Sequence, residues 1–386
     1  MRKQTQEGFR NVQSLGEIAV SPDGRFIVFV GHWLDKKRDQ ERNALFLLAL
    51  NPQGQALDEP RMLLSSLQQI SSPVWAPDSQ RILFLSDQND QHQQIWLTSI
   101  EGEEAQKLTT MAFGVNEIAW SPNGRWLAFT ALAAPLAQQG EVEMGAVSAR
   151  GNGRFEQFTQ LFVMPAPGES AGALQRLTHD AVDYTQPSWT PDGQEIGILR
   201  NEAEDRERSF LTDLWAIAPA TGEARCLTNR MLEIDCYAWA PDGRTVIIVA
   251  SQEEESSTSS TQHLYLVTRH GNVGDNTLLL TPELDNATLP QAFSSLGTPG
   301  PYRPVWSQDG QKVYFLVTEQ QAVNVYCIEV VWRTLSRLTE HSLTYFLALL
   351  PDGQSLLVAQ QYPGQIWNLY RLTDSGEITP LTNFHE

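Results

Sequence analysis

Ile118-Ala119-Trp120-Ser121-Pro122-Asn123-Gly124-Arg125-Trp126-Leu127-Ala128-Phe129 reads as strand, tight turn, strand. Pro122 presets φ, the Asn123 side chain caps the turn, and Gly124 accepts a positive φ. The same signal occurs seven times: SPDG at Ser21, APDS at Ala76, SPNG at Ser121, TPDG at Thr190, APDG at Ala240, SQDG at Ser307 and LPDG at Leu350. Two residues before the Pro position stand Trp75, Trp120, Trp189, Trp239 and Trp306, with Val20 and Leu349 in the outer repeats. A second aromatic column follows: Phe46, Trp96, Phe162, Trp215, Tyr265, Tyr326 and Tyr370. A Leu-Thr pair then closes six repeats, at Leu108, Leu177, Leu227, Leu280, Leu338 and Leu381.

Each unit therefore reads strand A, Pro-Asp-Gly hairpin, strand B, connection, aromatic strand C, hairpin, strand D. Such a unit repeated around a ring is an all-β, seven-bladed β-propeller with four antiparallel strands per blade. The blades are expected near residues 15–66, 67–110, 111–179, 180–229, 230–282, 283–340 and 341–383, as a single domain spanning 1–386. The first repeat supplies its own strand A (Glu17–Ser21) and the last its own strand D (Ile378–Thr382). An open ring without a shared closing blade is the expectation. The aromatic columns read as packing between blades and the repeated Asp as turn capping.

Successive turns lie 55, 45, 69, 50, 67 and 43 residues apart, so the longer units carry insertions. The excess falls between strands B and C, in Gly31–Asn43, Ala131–Thr159, Arg200–Thr212 and Ser251–Gln262, and between blades five and six in Pro282–Arg303. In an up-down blade the B–C and D–A connections share a face. The elaboration thus collects on one face, and loops on a rigid scaffold are where binding is built. Long loops also cost little entropy, so neutral drift explains the same pattern.

A net charge of -19 argues against nucleic acid and anionic membrane as partners, because phosphate contacts need clustered Lys and Arg. The three cysteines, Cys226, Cys236 and Cys327, have no metal-ligand spacing and read as buried free thiols. The N-terminus has no apolar h-region and no apolar run approaches a membrane span, so a cytoplasmic protein is the expectation.

Gly168-Glu169-Ser170-Ala171-Gly172 fits the G-x-S-x-G nucleophile elbow. That chemistry needs a strand-to-helix turn in an α/β sheet, whereas this stretch falls in the C–D hairpin of the third blade, so catalysis by Ser170 is rejected. His32, His92, His179 and His341 fall in B–C or D–A connections and share the elaborated face. Together they are candidates for a metal or acid/base cluster. Four unrelated surface histidines is the preferred reading. No cofactor motif is present, and no catalytic or metal residue is assigned.

Pro73-Val74-Trp75-Ala76-Pro77-Asp78, Gln94-Ile95-Trp96, Glu103–Thr109 and Ile118–Phe129 resemble the propeller of the prolyl-oligopeptidase superfamily of serine peptidases, the acylaminoacyl-peptidase branch above all. The repeat also resembles TolB-type propellers. In the peptidases an α/β-hydrolase domain carrying Ser, Asp and His follows, whereas this sequence stops at Glu386, where the seventh blade closes. The resemblance implies a non-catalytic propeller that gates or docks such a domain, with a protein or peptide at the loop-rich face. A stand-alone TolB-like interaction scaffold is the alternative. A metal-dependent propeller enzyme using the loop histidines, as in the oligogalacturonate lyases, is the third reading.

Overall fold

The computed structural model describes residues 12–35, 39–66, 69–88, 90–102, 104–133, 157–169, 172–201, 211–228, 232–252, 262–271, 276–284, 303–319, 322–362 and 367–384. Among them there are only strands and turns, so no helix is long and apolar enough to cross a membrane.

The first repeat forms β1 (Ser14–Val20), β2 (Phe26–Asp35), β3 (Gln40–Ala49) and β4 (Arg61–Ser66). The second forms β5 (Ile70–Trp75), β6 (Arg81–Ser86), β7 (Gln94–Ser99) and β8 (Gln106–Lys107). The third forms β9 (Glu117–Trp120), β10 (Trp126–Ala133), β11 (Phe158–Pro165) and β12 (Gln175–Arg176). The fourth forms β13 (Asp183–Trp189), β14 (Ile196–Asn201), β15 (Thr212–Ile217) and β16 (Ala224–Cys226). The fifth forms β17 (Leu232–Trp239), β18 (Thr245–Gln252), β19 (Gln262–Thr268) and β20 (Thr277–Leu279). The sixth forms β21 (Val305–Trp306), β22 (Lys312–Glu319), β23 (Ala322–Glu329) and β24 (Thr334–Arg337). The last forms β25 (Leu343–Leu349), β26 (Ser355–Gln361), β27 (Asn368–Thr373) and β28 (Ile378–Pro380). The first five sets are four-stranded antiparallel sheets in chain order, the arrangement of propeller blades. The last two sets join into one eight-stranded sheet through the parallel pairing of Val323 with Leu343.

The repeated residues explain the repeated sheet. In the third repeat the Ser121 hydroxyl accepts the Trp126 N–H, and Asn123 Oδ1 accepts the Arg125 N–H, so the side chains satisfy the turn's own donors. The closing Thr is a clip between strands D and C. Thr109, Thr178, Thr228, Thr281, Thr339 and Thr382 each accept the N–H of the strand-C aliphatic residue opposite, at 2.9–3.0 Å. Four of these hydroxyls also bond the buried polar residue just before that aliphatic: Gln94, Asp213, Asn324 and Asn368. A buried polar group is tolerable only when so paired.

Strand A is the inner edge of each sheet. β1 lies against β5, β5 against β9, β9 against β13, β17 against β21, β21 against β25, and β25 against β1. The Trp column does more than pack. Trp75, Trp189 and Trp306 donate their indole N–H to Ala19, Ala119 and Ala238, the carbonyls one place earlier in the column on the preceding strand A. The turns touch in the same order. A Cβ added to Gly24, Gly124, Gly193, Gly243 or Gly310 would meet Pro351, Pro77, Pro122, Pro191 or Pro241 of the preceding turn. In the second repeat Ser79 stands in place of Gly, with φ 57°, and its hydroxyl accepts the Asp23 N–H.

The first and last sheets meet through side chains. Leu15, Ile18, Phe29 and Phe46 share a core cluster with Tyr345, Leu357, Leu369 and Leu381. Val12 and Phe384, just outside the strands at the two ends, are both buried in that cluster. Ser14 and Leu15 pair with His32 and Gly31 of the same repeat.

One expectation is corrected. Gly31–Asn43 is not a loop: β2 and β3 continue as a hairpin, with Trp33 opposite Arg42 and Asp35 opposite Gln40. The Arg42–Asp35 ion pair at 3.1 Å ties its outer end. The other insertions fall largely in 134–156, 202–210, 253–261 and 285–302, outside the described residues. Cys236 and Cys327 are buried and Cys226 is half-buried, none of them in a disulfide.

Candidate functional site

Strand A carries a column that the turns do not announce. Three residues before the Trp position stand Glu17, Ser72, Glu117, Gln186, Cys236, Arg303 and Phe346. The register slips in this part of strand A, between Leu15 and Ile18, Ser71 and Val74, Thr185 and Ser188, Ile234 and Cys236, and Thr344 and Phe346. A bulge re-aims side chains and frees backbone donors. Ser72 and Gln186 take positive φ at 51° and 57°, the conformation such a kink needs.

The freed N–H groups have specific acceptors on the neighbouring repeat. The Ser72 N–H donates to the Glu17 carboxylate. The Gln186 N–H donates to Glu117 Oε2 at 2.7 Å, which also accepts from the Thr130 hydroxyl at 3.0 Å. Gln186 then reaches onward: its Nε2 donates to the Asp235 carbonyl at 2.5 Å, while Tyr237 Oη donates to the Gln186 carbonyl at 2.6 Å. The Arg303 guanidinium lies 5.7 Å from the centre of the Tyr237 ring. Four successive repeats are thereby linked into one band of Glu117, Gln186, Asp235, Tyr237 and Arg303, the last just before β21.

Burial decides the electrostatics of this band. It pushes the Glu17 and Glu117 carboxyls up against the hydrogen bonds that hold them ionised. Burial, with the Glu233 charge adding to it, pushes Asp235 up to about 6. Tyr237 is driven far above the usual phenol range by burial, and so remains a donor. The band holds carboxyls that burial pushes up, one cation and an amide on the inner edge: groups that can bind and orient a polar chain.

The four histidines stand on separate repeats. His32 is half-buried at the outer part of β2, and its Nε2 is enclosed without a partner among the described residues. Burial pushes its pKa down against the pull of Glu41. His92 is exposed beside Phe113, with ring centres 6.5 Å apart. His179 and His341 are exposed in the connections after β12 and β24. Among the described residues no group of three or more His, Cys, Asp and Glu is placed to hold a metal ion. The connection from β11 to β12 contains Gly168 and Glu169 of the G-x-S-x-G stretch, while Ser170 lies outside the described residues.

Sequence reading passed over the inner carboxylates, although a signal existed: Glu17 and Glu117 share one offset from the Trp column.

No protein-family model matches the chain. It is similar to an uncharacterized peptidase, YuxL, of Bacillus subtilis, at 22% identity over 400 residues, covering 99% of this chain and 59% of the relative. The chain therefore spans about three fifths of that peptidase's length. Its fold is that of the β-propeller domain of the trilobed protease from Pyrococcus furiosus, described as having an open velcro topology, with a TM-score of 0.64, 14% identity, and 97% and 96% of the two chains covered. It matches acylaminoacyl peptidase from Pyrococcus horikoshii with a TM-score of 0.66 and 17% identity, over 98% of this chain and 54% of that one.

Proposed function

We propose that this chain is the propeller half of a serine-peptidase architecture. Seven blades close without strand exchange, and the loop-rich face docks and gates a prolyl-oligopeptidase-type hydrolase domain. The observation that carries the reading is the coverage: nearly all of this chain matches a peptidase relative, yet 59% of that relative is matched. The two fifths left over are where the catalytic groups of such a peptidase would stand.

Three features support closure as a seven-bladed open ring. The turns touch in sequence, the last against the first through Pro351 and Gly24. β1 lies against β25. The two sheets share a side-chain cluster, and Ser14 and Leu15 pair within their own repeat. Up-down topology places the beginning of β1 and the end of β28 on the face of the B–C and D–A connections. A domain joined at either end would meet the propeller there. The inner band from Glu117 to Arg303 then lines the way to it.

The test is binding and activity measured together. The 386-residue chain is mixed with a separately produced hydrolase domain corresponding to the unmatched part of the Bacillus relative. The reading predicts no peptide hydrolysis by the chain alone, a one-to-one complex by calorimetry, and slower cleavage of long substrates in the complex. Hydrolysis by the chain alone, or no complex at any concentration, overturns it.

A further inference from the structure

His32 is a titratable group that the inner band does not use. It stands on β2, directly opposite Ser14 of β1 and Asn43 of β3. Alternation along the strand sets the face it belongs to. Val28 and Val30 of β2, with Leu45 and Leu47 of β3, share a core cluster with Ile70, Ile82 and Phe84 of the second repeat. His32 continues that face towards the loop-rich end, so its imidazole lies at the boundary between the first two repeats. A Cβ added to Gly16 would stand 2.7 Å from His32 Nε2: the ring fills the space beside the β1 bulge. Nε2 is buried there without a hydrogen-bond partner among the described residues.

Two bridges fasten this boundary on either side of the ring. From β1, Glu17, the residue after Gly16, accepts the Ser72 N–H. From β3, the buried Asn43 accepts the Ile70 N–H at 3.3 Å and donates to the Ile70 carbonyl at 3.4 Å. Both reach β5, the inner strand of the next repeat. A neutral imidazole can leave Nε2 unprotonated against Gly16. An imidazolium cannot, because both ring nitrogens then carry a proton that needs an acceptor, and the charge itself is half-buried.

The charged groups around the ring do not supply that acceptor. Glu41 of β3, on the same face, pulls the His32 pKa up, but burial outweighs it and holds the group below its ordinary 6.5. Glu17 of β1 is engaged with Ser72. The Arg42–Asp35 pair belongs to the other face of the hairpin. β5 carries no charged residue, and Asp87 of the second repeat accepts the Gln69 N–H.

We infer that His32 is an acid-sensitive latch between the first and second repeats: protonation of its ring releases β1 and β3 from β5 and opens the boundary at the loop-rich face. The closed boundary binds fewer protons than the open one. Its stability is therefore fully present above about pH 6.5 and is lost as pH falls through the lowered pKa of the closed form. The device belongs to the propeller itself, so its failure leaves the docking reading standing.

Hydrogen–deuterium exchange of the 386-residue chain, followed from about pH 7.5 to about pH 5 and corrected for the intrinsic rate at each pH, tests this. The amides of Ile70 and Ser72 are the reporters, because both donate across the boundary. Their opening should rise by up to about tenfold per pH unit below 6.5, the limit for one proton, while amides of β22 and β23 should not follow. His32→Gln, neutral at every pH, should flatten the profile. Glu41→Gln should move the rise to lower pH, since it removes the charge that favours the imidazolium. An NMR titration of the His32 ring in the unaltered chain should give a pKa below 6.5. Opening at Ile70 and Ser72 that ignores pH, a profile unchanged in His32→Gln, or a ring that titrates at or above 6.5 overturns the inference. Circular dichroism checks that each variant folds; if His32→Gln does not, the pH profile and the ring titration of the unaltered chain decide.

Discussion

Phe384→Ala is the substitution that bears hardest on how the ring closes. The Phe384 ring stands edge-on to Phe29 at 6.1 Å and is 6% exposed. It sits in the cluster that joins the first and last sheets. Its N–H donates to Asn368 Oδ1 at 2.8 Å, a bond that Ala keeps. The substitution therefore keeps that bond while it removes the buried ring and its contact with Phe29. Truncation of a buried Phe costs about 3–5 kcal/mol, and relaxation near the end of the strands lowers that to about 2–3 kcal/mol. If the first and last sheets are held together by packing, they part before the rest unfolds. The loss then falls on local opening, a change of about 30- to 150-fold in exchange rate. Hydrogen–deuterium exchange read by mass spectrometry resolves it. Peptides from β1, β2 and β25–β27 should lose protection by that factor, and peptides from β9–β20 should not change. Equal loss in both groups would refute the reasoning, because the seam would then be no weaker than any other boundary. A change of less than about twofold at the seam would refute it equally.

Other outcomes follow from the same contacts. Gly24→Ala should destabilise by more than 3 kcal/mol, because a positive φ of 67° and overlap with the Pro351 ring add together; Gly222→Ala, at φ 76° with open space around it, should cost about 1 kcal/mol in urea melts. Trp75→Phe removes the indole bond to the Ala19 carbonyl and should cost about 1–2 kcal/mol beyond packing. Trp120→Phe should lack that increment, since its indole N–H is buried without a partner among the described residues. Asp235, raised to about 6 from 3.8, favours the fold while protonated; that stability is present below about pH 4 and lost as pH rises through about 6. Asp235→Asn should therefore raise the melting temperature at pH 8, by up to about 3 kcal/mol in stability, and leave it unchanged at pH 4.

The repeat was legible in the sequence because its parts are local. Pro, Asp and Gly dictate a turn without help from the rest of the chain, and the Leu-Thr pair and Trp column recur at fixed offsets from it. Strand ends were less legible. Reading the shortest unit as the whole sheet turned His32-Trp33-Leu34-Asp35 into loop, whereas cross-strand pairing and the Arg42–Asp35 ion pair extend the hairpin. The inner band was invisible for a different reason. Glu17 and Glu117 look like the polar half of an alternating strand, and only the bulge on the next repeat supplies the N–H that each carboxylate accepts. That bulge depends on positive φ at Ser72 and Gln186, residue types that do not advertise it. The indole bonds were likewise hidden, since the same Trp serves both packing and a donor.

The central claim, that this propeller gates a hydrolase domain, is tested most directly by size selectivity. The chain is joined to the part of the Bacillus relative that it does not match, and cleavage of one peptide sequence is timed free and within an unfolded protein. The account predicts cleavage of the free peptide and protection of the same sequence in the protein, with protection lost when that part acts alone. Equal rates on both substrates with the propeller present would contradict it.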